Sequence, residues 1–205
     1  MAASCPVGFD TKRLREEVSL VYARVAEAPN GDFHFHRGPE YAVEFLRYDA
    51  DELRTLPARS TAAFAGVGNP HAIRVIERGA VVADIGSGGG MDLLLGARRV
   101  GVSGRAIGID MTESMRRLAH EAALEAGLEA IVEIRAGDAE DLPLVDSSID
   151  VVISNGVLNL ATDKGKAFAE IARVLKPGGQ LQLADIVVDS ELSEAIRSDV
   201  DLWTG

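Results

Sequence analysis

The sequence is poor in several things that many functions require. It holds a single cysteine, Cys5, in 205 residues. One thiol forms no intrachain disulfide and builds no thiolate cage around a metal, and at the amino terminus it reads as a terminal thiol with no role. Positive charge is also scarce, with 21 Lys and Arg against 32 Asp and Glu and a net charge of −11. A nucleic-acid binder presents a basic stripe that releases counterions, and none is visible. The densest basic run, Lys12-Arg13-Leu14-Arg15, reads as the solvated side of a helix. Apolar runs are broken well before the roughly 20 residues of a membrane span. The opening Met-Ala-Ala-Ser-Cys-Pro has no basic segment followed by an apolar one, so no secretory signal is expected. These absences favour a cytoplasmic protein with a small-molecule partner, and disfavour nucleic acid and membrane.

What is present suits one α/β domain, with 47% hydrophobic residues to fill a core. Over 10–28, Leu14, Val18, Val21, Tyr22 and Val25 recur at helical spacing, with Asp10 or Thr11 placed as N-cap. Pro29-Asn30-Gly31 then forces a turn. Residues 1–70 read as a helical N-terminal cap and 71–205 as the main domain. Beyond Pro70, strands are predicted at 80–85, 105–109, 131–135, 149–154 and 180–186, and helices at 91–100, 113–126 and 162–175. Thr112 is expected to cap the second of these helices, with Gly127 as its C′ glycine. A further short helix is expected around 191–198. Strand–helix alternation implies a mostly parallel Rossmann-like sheet with helices on both faces.

Four motifs fall at successive strand ends, where ligands bind in open parallel sheets. The first is Asp84-Ile85-Gly86-Ser87-Gly88-Gly89-Gly90. Glycine lets the chain turn sharply and lets a ligand lie against the backbone, and the following helix offers free N–H groups. A dinucleotide loop reads G-x-G-x-x-G, whereas here Met91 stands where the third glycine would be. Asp84, two residues before Gly86, suits an ammonium or sulfonium better than a diphosphate. The spacing therefore favours S-adenosylmethionine over a nicotinamide cofactor. Asp110, followed by Met111, ends the next strand, from which a carboxylate can grip both ribose hydroxyls. Asp138 and Ala139 follow the third strand, where an acid can accept from an adenine amino group. Asn155 closes the fourth.

With those residues in view, the segment 71–205 resembles the class I S-adenosylmethionine-dependent methyltransferases. Lys176-Pro177-Gly178-Gly179 looks like that family's turn before the fifth strand. A narrower resemblance is to the arsenite methyltransferase group, carried by Gly108–Thr112, 153–160, 173–179, 184–187 and 201–205. In the N-terminal part, Phe35-His36-Arg37-Gly38-Pro39 and 64–70 fit the same group. The resemblance implies S-adenosylmethionine as cofactor, held by Asp84, Gly86, Ser87, Gly88, Gly90, Asp110, Met111, Asp138, Ala139 and Asn155. It also implies thiolates that hold trivalent arsenic, a soft acid wanting soft bases. One such thiolate would fall at position 156, where this chain has Gly156, and another just after Gly205. Relative to the family fold the last two strands are expected to be missing. The open sheet edge would then be covered by the cap or by a second copy of the chain.

Methyl transfer from a sulfonium needs mainly alignment, worth up to about 7–11 kcal/mol in the best intramolecular cases. No dedicated nucleophile is expected. A base is required for oxygen or nitrogen acceptors, and His36, Tyr22 and Tyr41 are candidates. His34 and His36 lack companions at metal-ligand spacing, so cap packing or a lid role is favoured. The rival readings are a non-catalytic donor-binding protein and, less favoured, a nicotinamide oxidoreductase.

Overall fold

A computed structural model describes residues 11–187. Cys5, the alternative cap Asp10, the helix expected at 191–198 and Trp203 lie outside the described residues. Five strands, β1 (Val81–Ile85), β2 (Arg105–Asp110), β3 (Val132–Ala136), β4 (Ile149–Asn155) and β5 (Leu175–Ala184), form one parallel sheet in the order β3-β2-β1-β4-β5. The chain steps outward from β1 to β3, then returns to the other side of β1. That reversal opens a crevice beyond the carboxyl ends of β1 and β4. The outer edge of β5 pairs with no strand among the described residues.

Four helices precede the sheet: α1 (Thr11–Glu27), α2 (Gly38–Glu44), α3 (Ala50–Arg54) and α4 (Ala58–Ala62). Three more connect strands: α5 (Met91–Val100), α6 (Glu113–Glu125) and α7 (Lys164–Val174). Side-chain alternation sends β1 and β4 to two cores. Ala83, Ile85 and Val152 pack with Ile171 and Val174 of α7. Val82, Val151 and Ile153 pack with Val100 of α5. Each fully buried aliphatic side chain stabilises the fold by about 1.5–3 kcal/mol.

The N-terminal helices share core with the sheet domain. Val25 of α1 packs with Ala63 and Met115 of α6, while Tyr48, Leu53 and Phe64 pack on Met91, Leu94 and Ala122. Of the apolar residues expected on the buried stripe of α1, Leu14, Val18 and Val25 are buried, and Val21 and Tyr22 half-buried.

Gly127 ends α6 at φ 66° and donates to Leu124, with Leu128 N–H reaching Ala123, as a C′ glycine should. Thr112 holds the N-cap position without capping. Its hydroxyl sits 3.4 Å from Ser19 Oγ, and its own N–H donates to Asp110 Oδ1 at 2.8 Å. The fifth strand starts earlier than expected because Leu175 already pairs with Ile149. A register shift then carries the chain through Lys176–Gly179 before Gln180 meets Val151. Lys176 reaches back to both oxygens of Asp150 at 2.8 Å, and Asp150 also accepts the Val81 N–H.

Candidate functional site

The turn after β1 builds the floor of a cleft at the crevice. Gly86 (φ 69°) and Gly88 (φ 50°) adopt backbone that L side chains avoid. A Cβ on Gly86 would lie 2.3 Å from Val157 Cγ2, whereas one on Gly88 would stand in open space. The turn is fastened by Gly86 and Ser87 N–H groups donating to the Ile109 carbonyl, and by Gly88 N–H donating to Asp110 Oδ2 at 2.8 Å. The bare backbone at Gly88 faces the cleft with nothing between it and a ligand.

The cleft holds about 1120 Å³ of non-protein space, counting its mouth. Its walls include Asp84, Gly86, Ser87, Gly88, Asp110, Met111, Asp138, Ala139 and Asn155. Gly90 is the exception among the residues singled out from sequence. It is not a wall residue: it starts α5 at φ 89°, donates to the Ser87 carbonyl, and approaches α6 so closely that a Cβ would lie 3.2 Å from Ala119 Cβ. Its place is helix packing.

Three carboxylates crowd one end. Asp84 is buried, and desolvation followed by the charges of Asp92 and Asp110 pushes its carboxyl well above the ordinary value. Asp84 Oδ2 and Ser87 Oγ are buried with no partner among the described residues. Burial also raises Asp110, against the pull of the Thr112 and Gly88 N–H groups. Both Asp110 oxygens are engaged by backbone N–H groups, Oδ2 by Gly88 and Oδ1 by Thr112. Buried carboxylates, one with an oxygen that has no partner among the described residues, beside a bare glycine backbone suit a cation better than a diphosphate.

At the other end, Asp138 Oδ1 accepts the Glu140 N–H and Oδ2 lies 2.9 Å from Arg15 Nε. Arg15 also meets Glu140 at 2.8 Å. The basic run on α1 is therefore not a purely solvated face, because its last member is a wall of the cleft. Glu140 also takes the Thr162 hydroxyl and N–H and the Asp163 N–H. Against desolvation, these donors and Arg15 hold its carboxyl below the usual range.

Asn155 lines the cleft, yet its amide is occupied. Nδ2 donates to Asp92 Oδ2 and the Gly68 carbonyl, both at 2.9 Å, and Oδ1 accepts the Val67 and Gly68 N–H groups. Tyr48 donates to Asp92 Oδ1 at 2.7 Å, and the buried His71 Nε2 is 3.3 Å from the same oxygen. The His71–Asp92–Tyr48–Asn155 cluster escaped sequence reading, although an acid in the first turn of a helix after a glycine turn was its visible signal. Tyr22 is also a wall, and burial, then Asp110, pushes its phenol up to about 12. At neutral pH it is a hydrogen-bond donor and not a base. His34 and His36 belong to an aromatic group: His36 stacks on Tyr41 with centroids 5.1 Å apart, and His34 meets Phe35 edge-on.

A family model described as a methyltransferase domain matches residues 76–204. The chain belongs to the class I S-adenosylmethionine-dependent methyltransferases. An arsenite methyltransferase of Halobacterium salinarum is 40% identical over 162 residues, covering 79% of this chain and 41% of that protein. A ubiquinone/menaquinone biosynthesis C-methyltransferase of Hydrogenovibrio crunogenus is 41% identical over 118 residues, covering 56% and 46%. Among solved structures, an arsenic(III) S-adenosylmethionine methyltransferase from Chlamydomonas reinhardtii superposes with a TM-score of 0.66 at 35% identity, covering 72% of this chain and 52% of that chain. The chain thus spans about half or less of the length of these relatives. Among the described residues no helix is long and apolar enough to cross a membrane.

Proposed function

We propose that this methyltransferase domain binds S-adenosylmethionine in the cleft beyond β1 and β4 and transfers its methyl group to a small-molecule acceptor. The observation that carries the reading is the pairing of two features at one place. These are a backbone left bare at Gly88 and an unpartnered, buried carboxylate oxygen on Asp84 beside Asp92 and Asp110. Asp84 and Ser87 would receive the cationic amino-acid end, Asp110 the ribose hydroxyls, and Asp138 with Ala139 the adenine edge. When bound, the donor supplies an activated methyl on sulfur. The chain's own part is to hold that group in line and keep water away, since no nucleophile is needed.

Two of the relatives named above carry arsenite or arsenic(III) in their names, so trivalent arsenic is one acceptor to assay. No cysteine lies among the described residues, and Gly156 stands at φ 71° with Val67 Cγ1 3.3 Å from where a Cβ would be. Among the described residues, then, the walls of the proposed site supply no thiolate for arsenic.

Calorimetric titration with S-adenosylmethionine, S-adenosylhomocysteine and NAD tests the donor half of this reading. Binding of the first two without the third supports it, and preferential binding of NAD refutes it. Release of S-adenosylhomocysteine across a panel of acceptors tests the catalytic half. Tight donor binding with no turnover on any acceptor would favour a non-catalytic donor-binding protein.

A further inference from the structure

Next to the donor cleft is a second chamber of about 650 Å³, counting its mouth. The two share Tyr22, Gly66 and Gly156 as walls, so a molecule in the second chamber abuts whatever lies in the first. The outer walls come from the segment after α1, from α2 and from the chain following β4 and β5.

The chemistry of those walls is specific. Tyr22 and Phe35 stack with centroids 5.9 Å apart and planes 22° from parallel. His36 and Tyr41 stack at 5.1 Å and 23°. Ile186 adds an apolar surface, and no Asp, Glu, Lys, Arg or Cys is among the described wall residues. Flat rings presenting their faces and edges recognise another flat, uncharged ring. The polar groups of the walls are the Tyr22 and Tyr41 hydroxyls, the His36 imidazole and the Asn159 amide, and of these the Asn159 Oδ1 is buried without a partner among the described residues. Its backbone is already satisfied, with N–H donating to Asp185 and the carbonyl accepting from Lys164. A buried amide oxygen left unpaired is costly, and a ligand hydroxyl would relieve it.

We propose that this chamber is the acceptor site and that it takes a neutral planar aromatic molecule bearing a hydroxyl group, with Asn159 accepting from that hydroxyl. The assignment as an acceptor site rests on the donor reading above. The recognition itself rests on the ring walls and on Asn159. Among the described wall residues no thiolate is offered to a soft metalloid.

The test uses the 205-residue chain with S-adenosylhomocysteine present. 2-Naphthol, 2-methylnaphthalene and the glutathione adduct of arsenite are titrated, and contacts are mapped by saturation-transfer NMR. 2-Naphthol is expected to bind and to be preferred over 2-methylnaphthalene. Tyr41→Ala is expected to weaken it about tenfold. Asn159→Leu is expected to abolish the preference for the hydroxylated ring. Both variants should keep S-adenosylhomocysteine affinity within about twofold, which shows that they fold.

Equal binding of the two naphthalenes by the unsubstituted chain overturns the proposal. So does naphthol binding untouched by either substitution, or displacement of naphthol by the arsenite adduct at equal concentration. Absence of S-adenosylhomocysteine binding in the unsubstituted chain is a separate failure. It overturns the donor reading, and the chamber's assignment as an acceptor site falls with it. A variant that loses S-adenosylhomocysteine is replaced by Tyr41→Leu or Asn159→Ala, which still remove the ring or the accepting oxygen.

Discussion

The amide of Asn155, at the tip of β4, donates to the carboxylate of Asp92, in the first turn of α5, at 2.9 Å. This bond joins two elements that flank β1 on the cleft side. Through Asn155 Oδ1 it also ties down the Val67–Gly68 loop that ends the N-terminal region. Asn155→Ala should therefore cost about 1–3 kcal/mol, because it leaves a buried carboxylate and two backbone N–H groups short of partners. Asn155→Asp should cost more than Ala, since it sets a second charge against Asp92 in a dry place. Urea unfolding of the three proteins checks the ranking, and equal midpoints would contradict it.

The glycine turn separates folding from binding. Gly86→Ala meets Val157 at 2.3 Å on strained backbone, so a stability loss above about 1 kcal/mol is expected. Gly88→Ala meets nothing within 4 Å and should cost about 1 kcal/mol, the conformational penalty alone. Its methyl would nonetheless project where the donor is to lie, so affinity for S-adenosylhomocysteine should fall much further than stability does. Thermal melts with and without ligand distinguish the two effects.

Much of this architecture was legible in the sequence. Short Val- and Ile-rich runs between helical segments located all five strands: β1, β2 and β4 are largely buried and apolar, whereas the half-buried edge strands β3 and β5 were marked by their place in the strand–helix alternation. The glycine loop and Asp110 were legible too, being local patterns at strand ends. The packing of Gly90 on Ala119 was not legible, because α5 and β2 separate the two in the chain and close packing leaves no local mark. Arg15 was read as solvated since its partners Asp138 and Glu140 are more than 120 residues distant. Tyr48 and His71 were unreadable as partners of Asp92 for the same reason. The fifth strand began early because its first pairing precedes a proline-glycine irregularity that sequence alone reads as a boundary.

Asp84 should make donor binding pH-dependent. Its carboxyl is raised in the folded protein, so the ionised form is the disfavoured one. Stability contributed by Asp84 therefore falls as pH rises from the ordinary carboxylate range through the raised value. A cationic ligand prefers the ionised form, so its binding should strengthen over that same window, with release of protons. Asp84→Asn should remove both the proton release and about tenfold or more of the affinity at neutral pH, while leaving the unliganded fold as stable or more so. Calorimetry in buffers of different ionisation enthalpy measures the protons directly. Proton uptake on binding would contradict the sign.

Arg15 fastens α1 across the far end of the cleft through Asp138 and Glu140. Its side chain is 38% exposed, so Arg15→Ala should cost no more than about 1 kcal/mol. The local effect should be larger than the global one. Amide exchange is expected to quicken in α1 and stay unchanged in β1 and β4. Uniform quickening would show that the latch supports the whole domain.

A crystal structure with S-adenosylhomocysteine tests the central claim most directly. The account predicts the ammonium within hydrogen-bonding distance of Asp84, the ribose on Asp110, and the sulfur turned towards the wall shared with the aromatic chamber. A ligand bound elsewhere, or a cleft that instead admits the diphosphate of NAD against the glycine turn, would contradict it.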